Sequence, residues 1–465
     1  MDANPEIAEK RRARAAKKLQ QKQAHAQANE ECTQADANIA SLIAPRTWIS
    51  VRNSEQHGRR VRVVTWNILA QCLVRHELFP GSDNLRIKSR FPGIGAELRS
   101  YDWDIGCFQE VDNMQHHGEV LRKTGYAYQY ERGYANKAHG LLIAWRKEPK
   151  EKHAHFGEPL FSRTLHLDDA NPLAAFPDKV PPHDPTFLSR ITRNILLLVA
   201  LPFADGHGGV LVATSHLFWH PRFGYERVRQ AGIIAQEIAS FRKEHAMCAP
   251  WPAIFCGDMN DQPHSCMYSM LTGKTEYTEA MDAELASSRI VHTSVDEMRG
   301  LRTANYAATM TENGDMDRVL GRHRLPKEGE LLTTAQLQRL YAFPTLNHPA
   351  YMRSAYSTAY AHLDTDIPLE FFKDRGTVSE RYDLESMPEP SDPRQLASTE
   401  PKWTLYSPLF RLTLDYIMLV PSMDGTYPRI TALLPIHPSS LLAPGLPRQT
   451  VGASDHVLLG AELVL

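Results

Sequence analysis

Polar side chains with the makings of a reactive site stand where buried strands give way to loops. Asn67 follows the apolar run "RVRVVTW", Gln109 and Glu110 follow "WDIGCF", and His216 follows "GGVLVATS". Asp258 and Asn260 end "WPAIFCGDMN", Asp415 lies within "LTLDYIMLVP", and Asp455 with His456 opens "SDHVLLGAELVL". Carboxylate and amide oxygens are hard donors that suit Mg²⁺ or Mn²⁺, whereas zinc would call for more His or Cys. Histidines beside such a site can donate to phosphate oxygens, and a carboxylate behind a histidine holds its tautomer and favours its charged form. A further Asp can orient and deprotonate a water. The inventory fits phosphoester hydrolysis.

Each residue also has a bland reading. Asn67 could cap a strand end, Glu110 could pair with an Arg, His216 could be a satisfied core histidine, and Asp455 could cap. Asp258 and Asn260, spaced i and i+2, would face the same side of an extended backbone, yet after an apolar run they also read as a turn. Coincidence at every strand end together is the weaker explanation.

The elements that must position these groups are legible as short runs, rich in β-branched and aromatic residues and bounded by Gly, Pro or polar residues. Besides those quoted, "HGLLIAWRK" and "NILLLVALPF" read as buried strands. "GYERVRQAGIIAQEIASFRKEH" places Ile234, Ile238 and Phe241 on one helical face, and "RIKSRFPGIGAELRSY" reads as a second helix. The strand signal fades around 274–401, where Thr333 and Gln336 have capping-box spacing, and returns afterwards. The expected organisation is a basic N-terminal tail over 1–45, disordered or helical, and one catalytic domain over 55–465 with a loop-and-helix insertion at 274–401.

Composition agrees with a globular chain: 465 residues, 42% hydrophobic and 23% charged. The net charge of −2 supplies no strong field for a polyanion, so nucleic acid would need a local basic patch. The tail carries one in "EKRRARAAKKLQQKQ", which reads as a solvated face, an RNA-backbone contact or an import signal. Six cysteines without a CxxC pair read as buried thiols in a reducing compartment. No apolar run is long enough for a membrane span and no signal-peptide core is present, so an intracellular protein, cytoplasmic or nuclear, is expected.

The ordered motifs "TWNILA", "DIGCFQEVD", "TSHLFWHPRFGYERVRQ", "FCGDMNDQP", "LDYIML" and "SDHVLL" resemble the endonuclease/exonuclease/phosphatase superfamily. "WNILAQCL", the His216-x-x-Trp219-x-Pro221 pattern, Arg227 and Gln230 resemble the group of carbon-catabolite-repression deadenylases, nocturnin and fungal Ngl-type RNA exonucleases. The resemblance implies a four-layer α/β sandwich, DNase I-like, of two mixed β-sheets flanked by helices, with the active site at one end of the strands. It implies Glu110 as principal metal ligand with Asn67 beside it and Asp455 in the acidic set, and Mg²⁺ as cofactor with Mn²⁺ as substitute. It makes Asp258 the residue that activates water, and Asn260 and His216 phosphate contacts. His456, backed by Asp415, would stabilise the developing phosphorane charge, and Arg90 would support the site. Pro221 and Phe410 match positions that contact terminal bases.

The implied activity is a 3′→5′ exoribonuclease on single-stranded RNA ends, in rRNA 3′-end processing or poly(A) shortening, acting as a monomer. A nocturnin-like phosphatase or phosphodiesterase on a small nucleotide is the alternative. Leu405 falls where deadenylases carry an asparagine, and His139 stands before Gly140 where many relatives carry an acid. No leucine-rich repeat precedes the catalytic block, so docking to the large deadenylase complex is not expected.

Overall fold

Alternation along the apolar runs decides the architecture. In the computed structural model, which describes residues 41–51, 58–174, 185–273, 278–301, 323–343, 349–360 and 400–465, these runs build two mixed sheets. The first runs, edge to edge, Ile49–Ser50, Arg429–Leu434, Leu459–Val464, Arg60–Asn67, Ile105–Val111, Gly140–Arg146 and Tyr126–Glu131. The second runs Arg353–Ser354, Asp415–Val420, Ala253–Asp258, Gly209–His216, Ile195–Pro202 and Phe161–His166. Each sheet has one parallel pair, Arg60–Asn67 with Ile105–Val111 and Gly209–His216 with Ala253–Asp258, among antiparallel neighbours. Arg353–Ser354, from within the 274–401 stretch, adds an edge to the second sheet.

Successive strand residues point to opposite faces, and both faces are apolar. Val61, Val63, Ile105, Cys107 and Ile143 of the first sheet share one core with Leu197, Val199, Val212, Ile254, Cys256, Ile417 and Leu419 of the second. The residues between them face outward. Val64, Trp66 and Phe108 pack with Phe91, Ile94 and Leu98 of the helix Ile87–Arg99 and Leu121 of the helix Met114–Lys123. Leu198, Leu211, Phe255 and Met418 pack with Ile234, Ile238 and Phe241 of the helix Gly224–Glu244. Helix, sheet, sheet, helix is the expected four-layer sandwich, each layer burying the apolar face of the next.

The Thr333 capping box is present at the helix Thr334–Arg339, with the Gln336 side chain returning to the Thr333 amide at 2.8 Å. Cys107, Cys248, Cys256 and Cys266 are buried free thiols, whereas Cys72 is exposed. Among the described residues, no helix is long and apolar enough to cross a membrane. The expected tail lies outside the described residues over 1–40, as does much of the expected insertion.

Candidate active site

The inward rows of the two sheets end in polar groups. Counting by twos, Val61 and Val63 lead through Thr65 to Asn67, and Ile105 and Cys107 lead to Gln109. Val210 and Val212 lead through Thr214 to His216, Ile254 and Cys256 lead to Asp258, and Leu419 and Ile417 lead back to Asp415. The same face that fills the central core therefore presents the site at one end of the strands. Register completes the convergence: Asp258 is paired with His216 on one side and Asp415 on the other. Gly257 permits the close pairing, since a Cβ there would lie 2.0 Å from the Ser215 carbonyl oxygen, at a φ of +153°.

Glu110 breaks the alternation. It follows Gln109, so a regular strand would turn it outward, yet its φ is +57° and the pairing with Gly140–Arg146 is irregular between Phe108 and Val111. That conformation is costly for a residue with a Cβ and persists only where surroundings impose it. Here they do. Glu110 Oε2 accepts from the Ala70 amide and Oε1 from Asn67 Nδ2, both at 3.0 Å. Asn67 Nδ2 also donates to Asp258 Oδ2 at 3.0 Å, while Asn67 Oδ1 accepts from the Leu69 amide. Asn67 thus ties a carboxylate of its own sheet to one of the facing sheet.

His456 Nδ1 lies 2.8 Å from Asp415 Oδ2, which also accepts from Thr404 Oγ1 at 2.6 Å. His456 Nε2 is 3.7 Å from Asp258 Oδ2, and His216 Nε2 is 3.6 Å from the same oxygen. Burial and then the Asp415 charge push Asp258 up to about 7, against His456 and the hydrogen bonds from Asn67 and Asn260. Burial opposes charge on His456, but Asp415, Asp258 and Asp455 hold it well above the ordinary imidazole value. His216 is driven well below that value by burial, His139, Lys137 and His456. The two histidines are thus driven in opposite directions, His456 toward its charged form and His216 toward its neutral one.

Asp258, Asp415 and His456 offer ligand atoms within 4.8 Å of one another. Within this trio only His456 Nδ1 and Asp415 Oδ2 are hydrogen-bonded, at 2.8 Å, and an imidazole driven toward its charged form is a poor metal donor. The better cation donors are Glu110 and Asp455. Burial and then Glu110 raise Asp455, with His456 and Arg90 opposing, so two nearly buried carboxylates repel across a site of hard oxygens. A divalent ion suits that donor set.

The remaining expected residues fall around this centre. Asn260 does not lie on an extended backbone beside Asp258: the strand ends at Asp258, and Asn260 turns back at a φ of +49°. Its amide donates to Asp258 Oδ1 at 2.9 Å and its Nδ2 to Leu217 O at 3.0 Å. The side chain of Asp258 makes this turn, so the turn and the site are one feature. Asp455 and His456 precede the last strand rather than opening it, held by Ser454 Oγ donating to Asn67 O and accepting from the His456 amide. Arg90 is fully buried and donates to the carbonyls of Ala453, Ile68 and Leu69, which is a supporting position.

Arg227 donates to the carbonyls of His220 and Pro221 and pairs with Asp261 at 3.0 Å, while Gln230 accepts from the Phe218 amide. Together they fix the loop that bears Trp219 and Pro221. Phe410 is 43% exposed at the tip of a hairpin formed by Leu405–Tyr406 and Arg411–Leu412, and Leu405 bridges to His456. His139 stands with its ring 6.4 Å from that of His216. Sequence reasoning passed over Thr404, whose hydroxyl orders Asp415, and the Leu69 and Ala70 amides. A lone Thr and backbone N–H groups leave no mark in a sequence.

Comparison with known proteins agrees with this geometry. A probable RNA exonuclease of Schizosaccharomyces pombe is 28% identical over 322 residues, covering 66% of this chain and 58% of its own. RNA exonuclease NGL2 of Saccharomyces cerevisiae is 31% identical over 254 residues, 49% of this chain and 45% of its own. Human protein angel homolog 2 is 30% identical over 230 residues, 46% of this chain and 37% of its own. The chain spans about half the length of such curated relatives. A crystal structure of ANGEL2, a 2′,3′-cyclic phosphatase, superposes with a TM-score of 0.53 at 20% identity, covering 90% of this chain and 98% of that one, and so shares the fold. The model of the Endonuclease/Exonuclease/phosphatase family matches residues 64–339, more than half of the sequence, and the chain belongs to that family.

Proposed function

We propose that this chain is a 3′→5′ exoribonuclease that hydrolyses the terminal phosphodiester of single-stranded RNA and releases nucleoside 5′-monophosphates with Mg²⁺, or Mn²⁺ in its place. The observation that carries the reading is the hydrogen-bonded run from Glu110 through Asn67 to Asp258, with the charged His456 facing the same oxygen. The RNA exonuclease relatives support the substrate class. One catalytic domain over 55–465, acting as a monomer on the 3′ ends of rRNA or poly(A), is the form in which we expect it to work.

Glu110 and Asp455, with Asn67 beside them, would hold the cation, which supplies Lewis-acid polarisation of a phosphate oxygen when bound. Asp258 orients the attacking water and takes its proton, and its raised affinity for that proton makes it a competent base near neutral pH. His456, kept protonated by Asp415, donates from Nε2 to the phosphate oxygen on which charge develops. Asn260 has a second amide proton for the same phosphate, and neutral His216 contributes one more donor. The bond from phosphorus to the upstream 3′ oxygen breaks, and that oxygen leaves as a hydroxyl with a proton drawn from solvent. Phe410 and Pro221 receive the terminal base.

A 5′-labelled oligoribonucleotide incubated with the protein and Mg²⁺ tests this. A ladder shortening from the 3′ end, abolished in Glu110→Gln, is the expected result. Relatives named 2′,5′-phosphodiesterase 12 favour a second reading, a phosphatase or phosphodiesterase on a small nucleotide. Release of phosphate from a small nucleotide, or cleavage of 2′,5′-linked oligoadenylate, with no ladder on 3′,5′-linked RNA would replace the first reading with it.

A further inference from the structure

Beyond the catalytic set, the second sheet continues sideways. The hairpin that carries Phe410 is tied to the site through Thr404 on Asp415 and Leu405 on His456, while the opposite flank passes from Asp258 through the His216 strand to the start of Ile195–Pro202. Strands lie about 4.8 Å apart, so that start is about two spacings from Asp258. A small cleft lined by Lys137, His139, Ile195 and His216 leads that way. Lys137 of that cleft donates to Arg193 O, and Arg193 belongs to a second cavity of about 340 Å³ lined also by Tyr134, Asp169, Ile191, Glu297 and Met298, a size that admits a nucleobase.

The cavity is built around a strained turn. Arg193 has a φ of +57°, and hydrogen bonds over-determine it. The buried Asp168 accepts from the Thr192 and Arg193 amides at 2.9 and 2.7 Å and from the Thr192 hydroxyl at 2.6 Å. Lys137 Nζ donates to Arg193 O at 3.0 Å, and Asn194 Nδ2 donates to His216 O. The turn that presents Arg193 is therefore fastened directly to a residue of the candidate active site. Strain held this firmly collects where a side chain must be presented to a ligand. Across the cavity the helix Thr293–Met298 supplies Glu297 and the half-exposed Met298, and Ser294 Oγ accepts from the Ile191 amide at 3.1 Å. Tyr134 stacks on His166 at 4.3 Å, and its hydroxyl, shielded from solvent, has no hydrogen-bond partner.

Aromatic and thioether walls suit a base, a guanidinium suits its phosphate, and two carboxylates accept hydrogen bonds only. Adenine, cytosine and guanine can each donate from an exocyclic amino group, whereas uracil has only its ring N3–H, flanked by two carbonyl oxygens that the carboxylates repel. We propose that this cavity seats the base on the 5′ side of the scissile phosphate and selects an amino-bearing base over uracil. The inference rests on the exoribonuclease reading, with the terminal base at Phe410.

Four oligoribonucleotides that differ only in the base preceding the 3′-terminal nucleotide test it, each trimmed at sub-saturating concentration by the full chain with Mg²⁺. The wild-type protein should trim the A, C and G substrates about tenfold more efficiently than the U substrate. Asp169→Asn combined with Glu297→Gln exchanges exposed carboxylates for amides that donate as well as accept, and should level the four rates. Arg193→Gln should raise KM about tenfold on all four with kcat retained. Equal wild-type rates on the four substrates, or a base profile unchanged in the double variant, would overturn the subsite alone. A wild-type protein that shortens none of them would overturn the exoribonuclease reading and the subsite with it.

Discussion

The same strands carry a buried polar cluster at each end, and the two clusters are built on opposite principles. At the far end from Asn67 and Glu110, Asp104 accepts from Arg146 Nε at 3.1 Å, His153 Nδ1 at 2.9 Å and the Arg62 amide at 2.9 Å, while Arg62 pairs with Glu462 at 2.9 Å. Each acid there meets a base. At the near end Glu110, Asp258, Asp415 and Asp455 face one another with His456 and the supporting Arg90 as counter-charges, and both Glu110 and Asn260 sit in the left-handed region. Matched charge marks an end that holds the sandwich together, even where Asp102 and Lys152 beside it are also left-handed. Surplus negative charge marks an end kept ready for something to bind.

The contrast breaks most sharply at Asp258 and Asp104. Asp258→Asn should lower kcat by about 10²–10⁴ while leaving the thermal midpoint equal or higher, because it relieves repulsion with Asp415; kinetics and melting of one preparation check both. Asp104→Ala should do the reverse, costing roughly 3–5 kcal/mol in a denaturant titration by leaving Arg146 buried without its partner, with kcat per folded molecule retained. A midpoint drop for Asp258→Asn equal to that of Asp104→Ala would erase the distinction.

Smaller effects sharpen it. Phe410→Ala should weaken binding of an uncleavable oligonucleotide by about 1–3 kcal/mol, the range for loss of one stacked base, without altering stability. The last effect, read on one histidine at a time, is a pH dependence that belongs to the scaffold. Burial holds His117, His292 and His437 down to about 3, so the unfolded chain binds protons that the folded one refuses. Stability is fully present above the ordinary histidine value near 6.5 and is lost as pH falls from there toward 3, by about 1.4 kcal/mol per unit for each histidine. Neither ring nitrogen of His117 has a hydrogen-bond partner. His117→Phe should accordingly flatten the slope of unfolding free energy between pH 7 and 5.

The sequence made the central strands and their polar ends readable because both faces of those strands are buried, which leaves unbroken apolar runs. It hid Tyr126–Glu131 and Phe161–His166, which lie at sheet edges with one flank unpaired and half-buried side chains, so no such run is required of them. Asp258 and Asn260 were identifiable by type, but the i, i+2 spacing gave the wrong reason for their meeting. A turn closed by the Asp258 side chain, not a continuing strand, brings them together. The left-handed Glu110 had no signal, since nothing in "CFQEVD" distinguishes a residue that extends the pleat from one that breaks it. Asp104 was likewise invisible, because its partners Arg146 and His153 are distant in sequence and become neighbours only when the sheet forms.

Gln109, buried between the layers, donates from Nε2 to Thr65 of its own sheet and to Thr214 of the facing one. Directly above it the site is split along the same seam, with Asn67 and Glu110 on one sheet and His216, Asp258 and Asp415 on the other. Neither half is a catalyst. A nascent or partly melted chain whose layers have not docked cannot assemble the site, and loss of activity in denaturant should coincide with separation of the sheets rather than precede it. Closure of the sandwich thereby acts as the enzyme's own proofreading of its folding.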